Sequence, residues 1–332
     1  MKILMTGAAG YVGSACLRWM IRQGHEPIAY DNLLEGKKAA VPEGRLVVGD
    51  ILDVEALTQA MREHQIEAVM HFAALASVPD SIAQPERYWR VNVLGTKNVL
   101  DAMQAAGVDR ILFSSTAATY SFDVEMPITE DSPQIPQTPY GTTKLSAEFM
   151  IKDYCRANNW GCTLLRYFNA AGADPDGQFG EDHSKETHLI PLILQAAVGK
   201  RDKVMLFGDQ WDTRDGTCVR DFVHTEDLAQ AHQRAIEALQ PGETRIYNIG
   251  SGTGTTVLEV LRTCEEVAGR AIPYEVAPPR PGDPAVLVAS PQRLIDELGW
   301  EPHYPGIRDI VETAWRWHST HPDGYATTST RV

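Results

Sequence analysis

Positive charge is in short supply: 30 lysines and arginines stand against 44 aspartates and glutamates, a formal net charge of -14 over 332 residues. So acidic a chain argues against neutralising a nucleic-acid backbone or coating an anionic membrane. A few arginines and helix ends can still hold one phosphorylated ligand. Cysteine is scarce as well. Cys16, Cys155, Cys162, Cys218 and Cys264 are odd in number and contain no CxxC pair, which suggests neither a disulfide framework nor a zinc site and fits a reducing cytoplasm. No metal is expected. Apolar runs are short, and none approaches the roughly 20 residues that span a bilayer. The N-terminus has one lysine and a handful of apolar residues before its glycines, too little for a signal-peptide core. Long repeats and low-complexity tracts are also missing.

What is present is ordinary for a soluble enzyme, with 43% hydrophobic and 22% charged residues. The length allows one large domain or two. The informative stretch comes first. Ile3, Leu4 and Met5 suit a strand buried on both faces, and Gly7, Gly10 and Gly13 follow in GxxGxxG spacing. That spacing gives a tight turn, bare backbone for a pyrophosphate and a close helix-to-strand contact, with the helix over Tyr11–Arg22 presenting its N-terminus to the phosphates. Glycines also mark plain turns, so context has to support them. A second apolar stretch at 27–30 ends in Asp31, where a carboxylate can bond adenosine ribose hydroxyls and repel a 2′-phosphate. This favours NAD over NADP.

Strands are expected at 45–48, 68–72 and 110–113, with helices over Val54–Glu63 and 85–106. Alternation at this interval predicts an α/β fold on a parallel sheet. Asp50 and Ile51 fall at a strand's carboxyl end, near the adenine or as a helix cap. Asn92 lies on a mostly apolar helix face and needs a partner, either a cofactor or a neighbouring helix. Ser114, Ser115 and Thr116 bring three hydroxyls to the same sheet edge. Tyr140 and Lys144, four apart, share one face of a helix starting near Tyr140. An ammonium within roughly 4 Å, at a dielectric of about 20, would lower a phenol by about three pKa units. Tyr140 then becomes a base near neutral pH, the alternative being two exposed side chains without a role.

The sequence GAAGYVGS at 7–14, DNL at 31–33, HFAAL at 71–75, FSSTAATY at 113–120 and YGTTK at 140–144 resembles the extended short-chain dehydrogenase/reductase superfamily. Within it the chain resembles the UDP-glucose (UDP-galactose) 4-epimerases. LRYFNAA at 165–171, GED at 180–182, GTCVRDFVH at 216–224, YNIG at 247–250 and RPGD at 280–283 extend the likeness over nearly the whole chain. The resemblance implies a Rossmann-type doubly wound sheet with a smaller mixed α/β lobe. It assigns 1–172, with 211–240 returning, to NAD binding, and 173–210 with 241–332 to the UDP-sugar. It further implies a cytoplasmic homodimer joined through the helices that include Asn92 and Tyr140.

Carried over by position, the resemblance implies Tyr140 as the base, Lys144 on the nicotinamide ribose and Thr116 on the sugar. The cofactor is expected against Gly7, Gly10, Tyr11, Val12, Asp31, Asn32, Asp50, Ile51, Phe72, Ala73, Ala74, Asn92, Ser114, Tyr140, Lys144 and Tyr167. The UDP-sugar is expected against Thr116, Tyr140, Asn169, His188, Leu189, Arg220, Arg280 and Asp283, where an arginine fork suits a diphosphate. Four positions depart from the pattern. Ala76 replaces a lysine found over the phosphates in some members. Thr187 and His188 replace a pair of asparagines. Leu287 replaces a bulky tyrosine and leaves room for an N-acetyl group.

Expected chemistry is inversion at C4 of a UDP-hexose. Ala117 and Ala118 lack the acid pair of the related dehydratases and the glutamate of the decarboxylases. A UDP-pentose or UDP-uronic acid epimerase is the nearest alternative, and a non-catalytic NAD-binding regulator is the alternative of another class.

Overall fold

The computed structural model describes residues 1–280 and 282–325; Pro281 of the RPGD motif and residues 326–332 of the expected lobe lie outside the described residues. Its centre is a seven-stranded sheet. Strands β1 (Lys2–Thr6), β2 (Glu26–Asp31) and β3 (Leu46–Val48) run outward to one side. On the other side lie β4 (Ala68–His71), β5 (Arg110–Thr116), β6 (Gly161–Tyr167) and an edge strand at Thr244–Ile249. Every neighbouring pair is parallel. Because the chain leaves β1 one way and returns at β4 to go the other, a crevice opens between those two carboxyl ends, where an open α/β sheet binds its ligand.

Alternation along β1 decides which helix covers which face. Ile3 and Met5 join Leu17 and Met20 of α1 (Tyr11–Arg22), with Leu228, Ala231 and Ala235 from the helix Thr225–Ala238. Leu4 faces the opposite way, toward Leu57 and Met61 of Val54–Glu63, Val99 and Met103 of Gly95–Ala106, and Ala147 and Ile151 of Pro139–Asn158. A third apolar cluster joins helices Leu189–Ala197, Val257–Ala268 and Ile307–Thr320 through Ile193, Leu261 and Val311. No helix among the described residues is long and apolar enough to cross a membrane.

Two expectations change. The expected lobe takes in 244–249, but these residues pair along β6 from Thr244 to Ile249 and complete the sheet. The single helix expected over 85–106 is broken by a wide π-turn at Trp89–Leu94. Asn92 sits inside that turn and bonds outward to the loop after β4. β5 also runs past its expected end at 113, to Thr116.

Three histidines are buried within this framework: His71, between Thr6 Oγ1 and Thr96 Oγ1 at 2.6 and 2.9 Å, His224 and His232. Desolvation holds them neutral, pushing His71 and His224 down to about 3 and His232 to about 4. Between these values and the ordinary 6.5 or so, the unfolded chain binds more protons than the folded one. Stability is therefore complete above that range and falls as pH drops through it. Each histidine approaches about a tenfold loss in the folding constant per pH unit. Urea midpoints should decline steadily from pH 6.5 to 5, and a flat profile would contradict this.

Candidate active site

Gly7 closes the turn after β1 with φ of +72°. A Cβ there would lie 2.5 Å from the Ala73 nitrogen, and one on Gly13 would lie 2.5 Å from the Gly7 carbonyl oxygen. Sheet, loop and helix are thus pressed together where only glycine fits. Gly10 caps α1 without a side chain, leaving the first-turn amides of Tyr11 and Val12 as natural anion donors. Asp31 Oδ2 accepts from the Ala9 amide at 2.9 Å and Oδ1 from the Leu33 amide at 2.8 Å, so the carboxylate is fixed beside the glycine loop. Burial raises its pKa, and those two bonds resist the rise. Asn32 Nδ2 donates to Asp50 Oδ2 at 3.1 Å, and Ile51 lies buried beneath Gly95.

Across the crevice, Phe72 stacks on His232 with centroids 5.0 Å apart, and Ala73 and Ala74 continue the floor. Ser114 and Tyr167 bond each other at 2.7 Å across the ends of β5 and β6, and burial raises the Tyr167 phenol. Asn92, expected against the cofactor, also ties two protein segments together. Its Oδ1 accepts from the Leu75 amide at 2.8 Å, and its Nδ2 donates to the Leu75 carbonyl and to Thr143 Oγ1, both at 3.1 Å. Both amide hydrogens are taken by protein, and the oxygen keeps one acceptor position open. This side chain clamps the 73–76 loop to the Tyr140 helix, the structural alternative left open by the sequence.

The helix Pro139–Asn158 begins with Pro139 after Thr138, whose hydroxyl caps the Gly141 amide at 3.2 Å. Gly141 allows the helix end to touch the turn at 117–119, since a Cβ would lie 2.2 Å from the Ala118 oxygen. This contact sets Tyr140 against Thr116. Burial pushes Tyr140 up to about 12, with a hydrogen bond from Thr116 pulling the other way. Lys144 is on the same helix face. It is buried, with Nζ 4.2 Å from the centre of the Phe113 ring, and desolvation brings it down to about 7 against the pull of Glu148. Burial is the leading cause on both groups, so Tyr140 stands above its ordinary value rather than three units below it. Among the described residues the Lys144 ammonium has no hydrogen-bond partner, a donor that fits the hydroxyls of a ribose.

On the far side of the crevice, Asn169 Nδ2 donates to the Asp221 carbonyl at 2.7 Å. The Asp221 carboxylate collects the amides of Ser251, Gly252 and Ala289 at 2.6, 3.2 and 3.0 Å. Arg220 donates to the carbonyls of Val219 and Pro284 and stands 3.6 Å from Asp283, while Leu287 pairs with it in register. Arg280 instead lies over Phe207, 3.9 Å from the ring centre. His188 is bonded to Glu181 and directly precedes Leu189, the first residue of its helix. Burial alone would lower that imidazole, but Glu181 outweighs it and the net direction is upward. Ala76 is exposed, so no side-chain donor stands there for a phosphate.

Sequence reasoning missed the support behind Tyr140. Glu148 and Arg166 form an ion pair with side chains 0% and 1% exposed, and Glu148 also accepts from Ser115. Arg166 continues to the Tyr120 hydroxyl at 2.8 Å, and Tyr120 to Asn248 Oδ1 at 2.7 Å. A readable signal existed: Glu148 is four residues beyond Lys144, hence on the same helix face.

Residues 3–250 match the model of the NAD dependent epimerase/dehydratase family. The chain is 47% identical to the UDP-glucose 4-epimerase of Halalkalibacterium halodurans, over 98% of each. It superposes on the crystal structure of UDP-glucose 4-epimerase from Brucella ovis in complex with NAD with a TM-score of 0.91 and 42% identity, covering 95% of this chain and 97% of that one. With the Bifidobacterium longum UDP-glucose 4-epimerase in complex with NAD+ and UDP the TM-score is 0.93 at 35% identity, covering 98% and 100%.

Proposed function

The chain belongs to the NAD dependent epimerase/dehydratase family, and from that premise we infer that it is an isomerase interconverting UDP-hexoses, UDP-glucose and UDP-galactose, at C4. The observation that carries the reading is Tyr140 set against Thr116 at the crevice, with an unbonded, buried Lys144 behind it. The glycine turn, Asp31 and Lys144 suit the pyrophosphate, adenosine ribose and second ribose of NAD. When bound, NAD supplies the reversible hydride acceptor that inversion without net oxidation requires. Tyr140 takes the 4-hydroxyl proton and returns it, while Thr116 bonds the same oxygen and holds the sugar in line. Between the two transfers the 4-keto sugar must present its other face. The anchor therefore belongs on UDP, through Asn169, Arg220, Leu189, His188 and the Arg280–Asp283 segment, with little grip on the hexose.

In this reading the NAD part comprises 1–172, 211–240 and the edge strand, and the lobe comprises 173–210 with the segments after 250. The enzyme serves galactose metabolism in the cytoplasm. Purified protein without added cofactor should interconvert UDP-glucose and UDP-galactose, because the cofactor returns to its starting state in each turnover. Conversion of UDP-pentoses or UDP-uronic acids alone would favour that alternative, and bound NAD with no conversion of any UDP-sugar would favour a regulator. UDP-N-acetylglucosamine should also turn over, since Leu287 is smaller than tyrosine; no turnover where UDP-glucose reacts readily would exclude it.

A homodimer is supported by three exposed apolar side chains on the helices expected to join it: Trp89, Leu94 and Phe149, at 43%, 46% and 52% exposure. Covering them against a second copy removes apolar surface from water. Phe149→Glu should give a monomer by light scattering, whereas an unaltered mass would move the interface elsewhere.

A further inference from the structure

The segment that begins within the GED motif carries Glu181, His183, Glu186 and His188 in the spacing E-x-H-x-x-E-x-H. Their donor atoms all lie within 4.8 Å of one another. Both imidazoles turn the same atom, Nδ1, toward one oxygen of Glu181. Glu186 Oε2 stands 3.5 Å from the His183 nitrogen. The two rings meet edge to face, with centroids 5.3 Å apart at 79°, rather than stacking.

These donors are held in place. Glu186 Oε1 accepts from the amides of Thr187 and His188 at 2.7 and 2.8 Å, which leaves Oε2 for the centre of the cluster. The Glu181 carbonyl accepts from Trp317 Nε1 at 3.0 Å, and the ring of Tyr11 supports His183 edge-on at 6.3 Å. Glu181 and Glu186 side chains are only 3% and 6% exposed, and among the described residues neither meets a lysine or arginine. Buried carboxylates need a compensating cation, and the two imidazoles that face them supply it only when protonated. His188, 53% exposed, leaves a way in from solvent.

The geometry points to a divalent-cation site of the zinc type, with two imidazole nitrogens and two carboxylate oxygens closing a four-coordinate shell. This goes beyond the proposed function and does not depend on it, although the two share His188, whose Nδ1 faces the cluster. The ion fixes the 181–188 segment, which leads directly into the helix Leu189–Ala197, and takes no part in catalysis.

Metal content provides the test. Untagged full-length protein, stripped with chelator and titrated with zinc, should take up one ion per chain and gain thermal stability. Cobalt(II) at the same site should give the intense visible bands of tetrahedral coordination. The double variant His183→Ala, Glu186→Gln should bind zinc at least about tenfold more weakly while keeping its circular dichroism spectrum. Wild-type uptake no stronger than that of the double variant would overturn the assignment. If the variant does not fold, the wild-type cobalt spectrum decides alone, and six-coordinate bands would reject the site.

Discussion

Tyr140→Phe should lower kcat by about 10²–10⁴-fold, the range for loss of a positioned acid–base group, while NAD remains bound. The substitution removes one oxygen and keeps the ring, so packing around the helix start is preserved. The expected size follows from the environment of the phenol. Burial pushes Tyr140 up to about 12, so the protein alone keeps it protonated at neutral pH, with only about one molecule in 10⁵ ionised. The Lys144 charge on the same helix face lies against Phe113 and is itself reduced by desolvation. A phenol held so far from ionisation is a poor base at rest and a strong one once ionised, which places proton transfer under the control of what fills the crevice. Turnover and bound cofactor should be measured on the same sample. Unchanged turnover would remove Tyr140 from the chemistry, and loss of cofactor would reassign it to binding.

Arg166→Met should cost about 3–5 kcal/mol of stability, because it leaves the Glu148 carboxylate buried without its partner. Against a total of about 5–15 kcal/mol for a typical domain this is a large fraction. The double variant Glu148→Leu, Arg166→Met should recover most of the loss, since the penalty lies in the orphaned charge rather than in the missing attraction. Denaturant unfolding of both singles and the double gives the coupling directly. Equal losses in the Arg166 single and the double would contradict the account. The pair also has a functional consequence. Glu148 is on the Tyr140 helix and Arg166 is on β6, so an intact network fixes the helix against the sheet end that carries Thr116. The double variant should be stable yet slower.

Much of the framework was legible in the chain. Local signals at 7–14 set the helix Tyr11–Arg22, and the expected helix Val54–Glu63 has those bounds in the structure. Both are amphipathic segments whose buried faces repeat along one helix side. What the sequence concealed was set by distant partners. Lys144 and Tyr140 share a face by spacing, but only the fold reveals Phe113 under the ammonium. Asn92 could be read as facing a ligand or a neighbour until the backbone of Leu75 came alongside. Glu148 and Arg166 look like solvated charges in a linear reading, because a separation of 18 positions hides their meeting. The strand Thr244–Ile249 lacked a signal for a different reason: its place at the edge depends on β6 waiting there, nearly 80 residues earlier in the chain.

That late strand governs how the protein can be made and cut. Until the ribosome has released residue 249, the outer hydrogen-bonding side of β6 has no mate, and an unmated strand of Gly161–Tyr167, buried along most of its length in the finished fold, is adhesive toward other chains. A fragment ending near residue 172 should therefore precipitate rather than fold as a free-standing nucleotide-binding module, and nascent chains of that length are natural clients for chaperones.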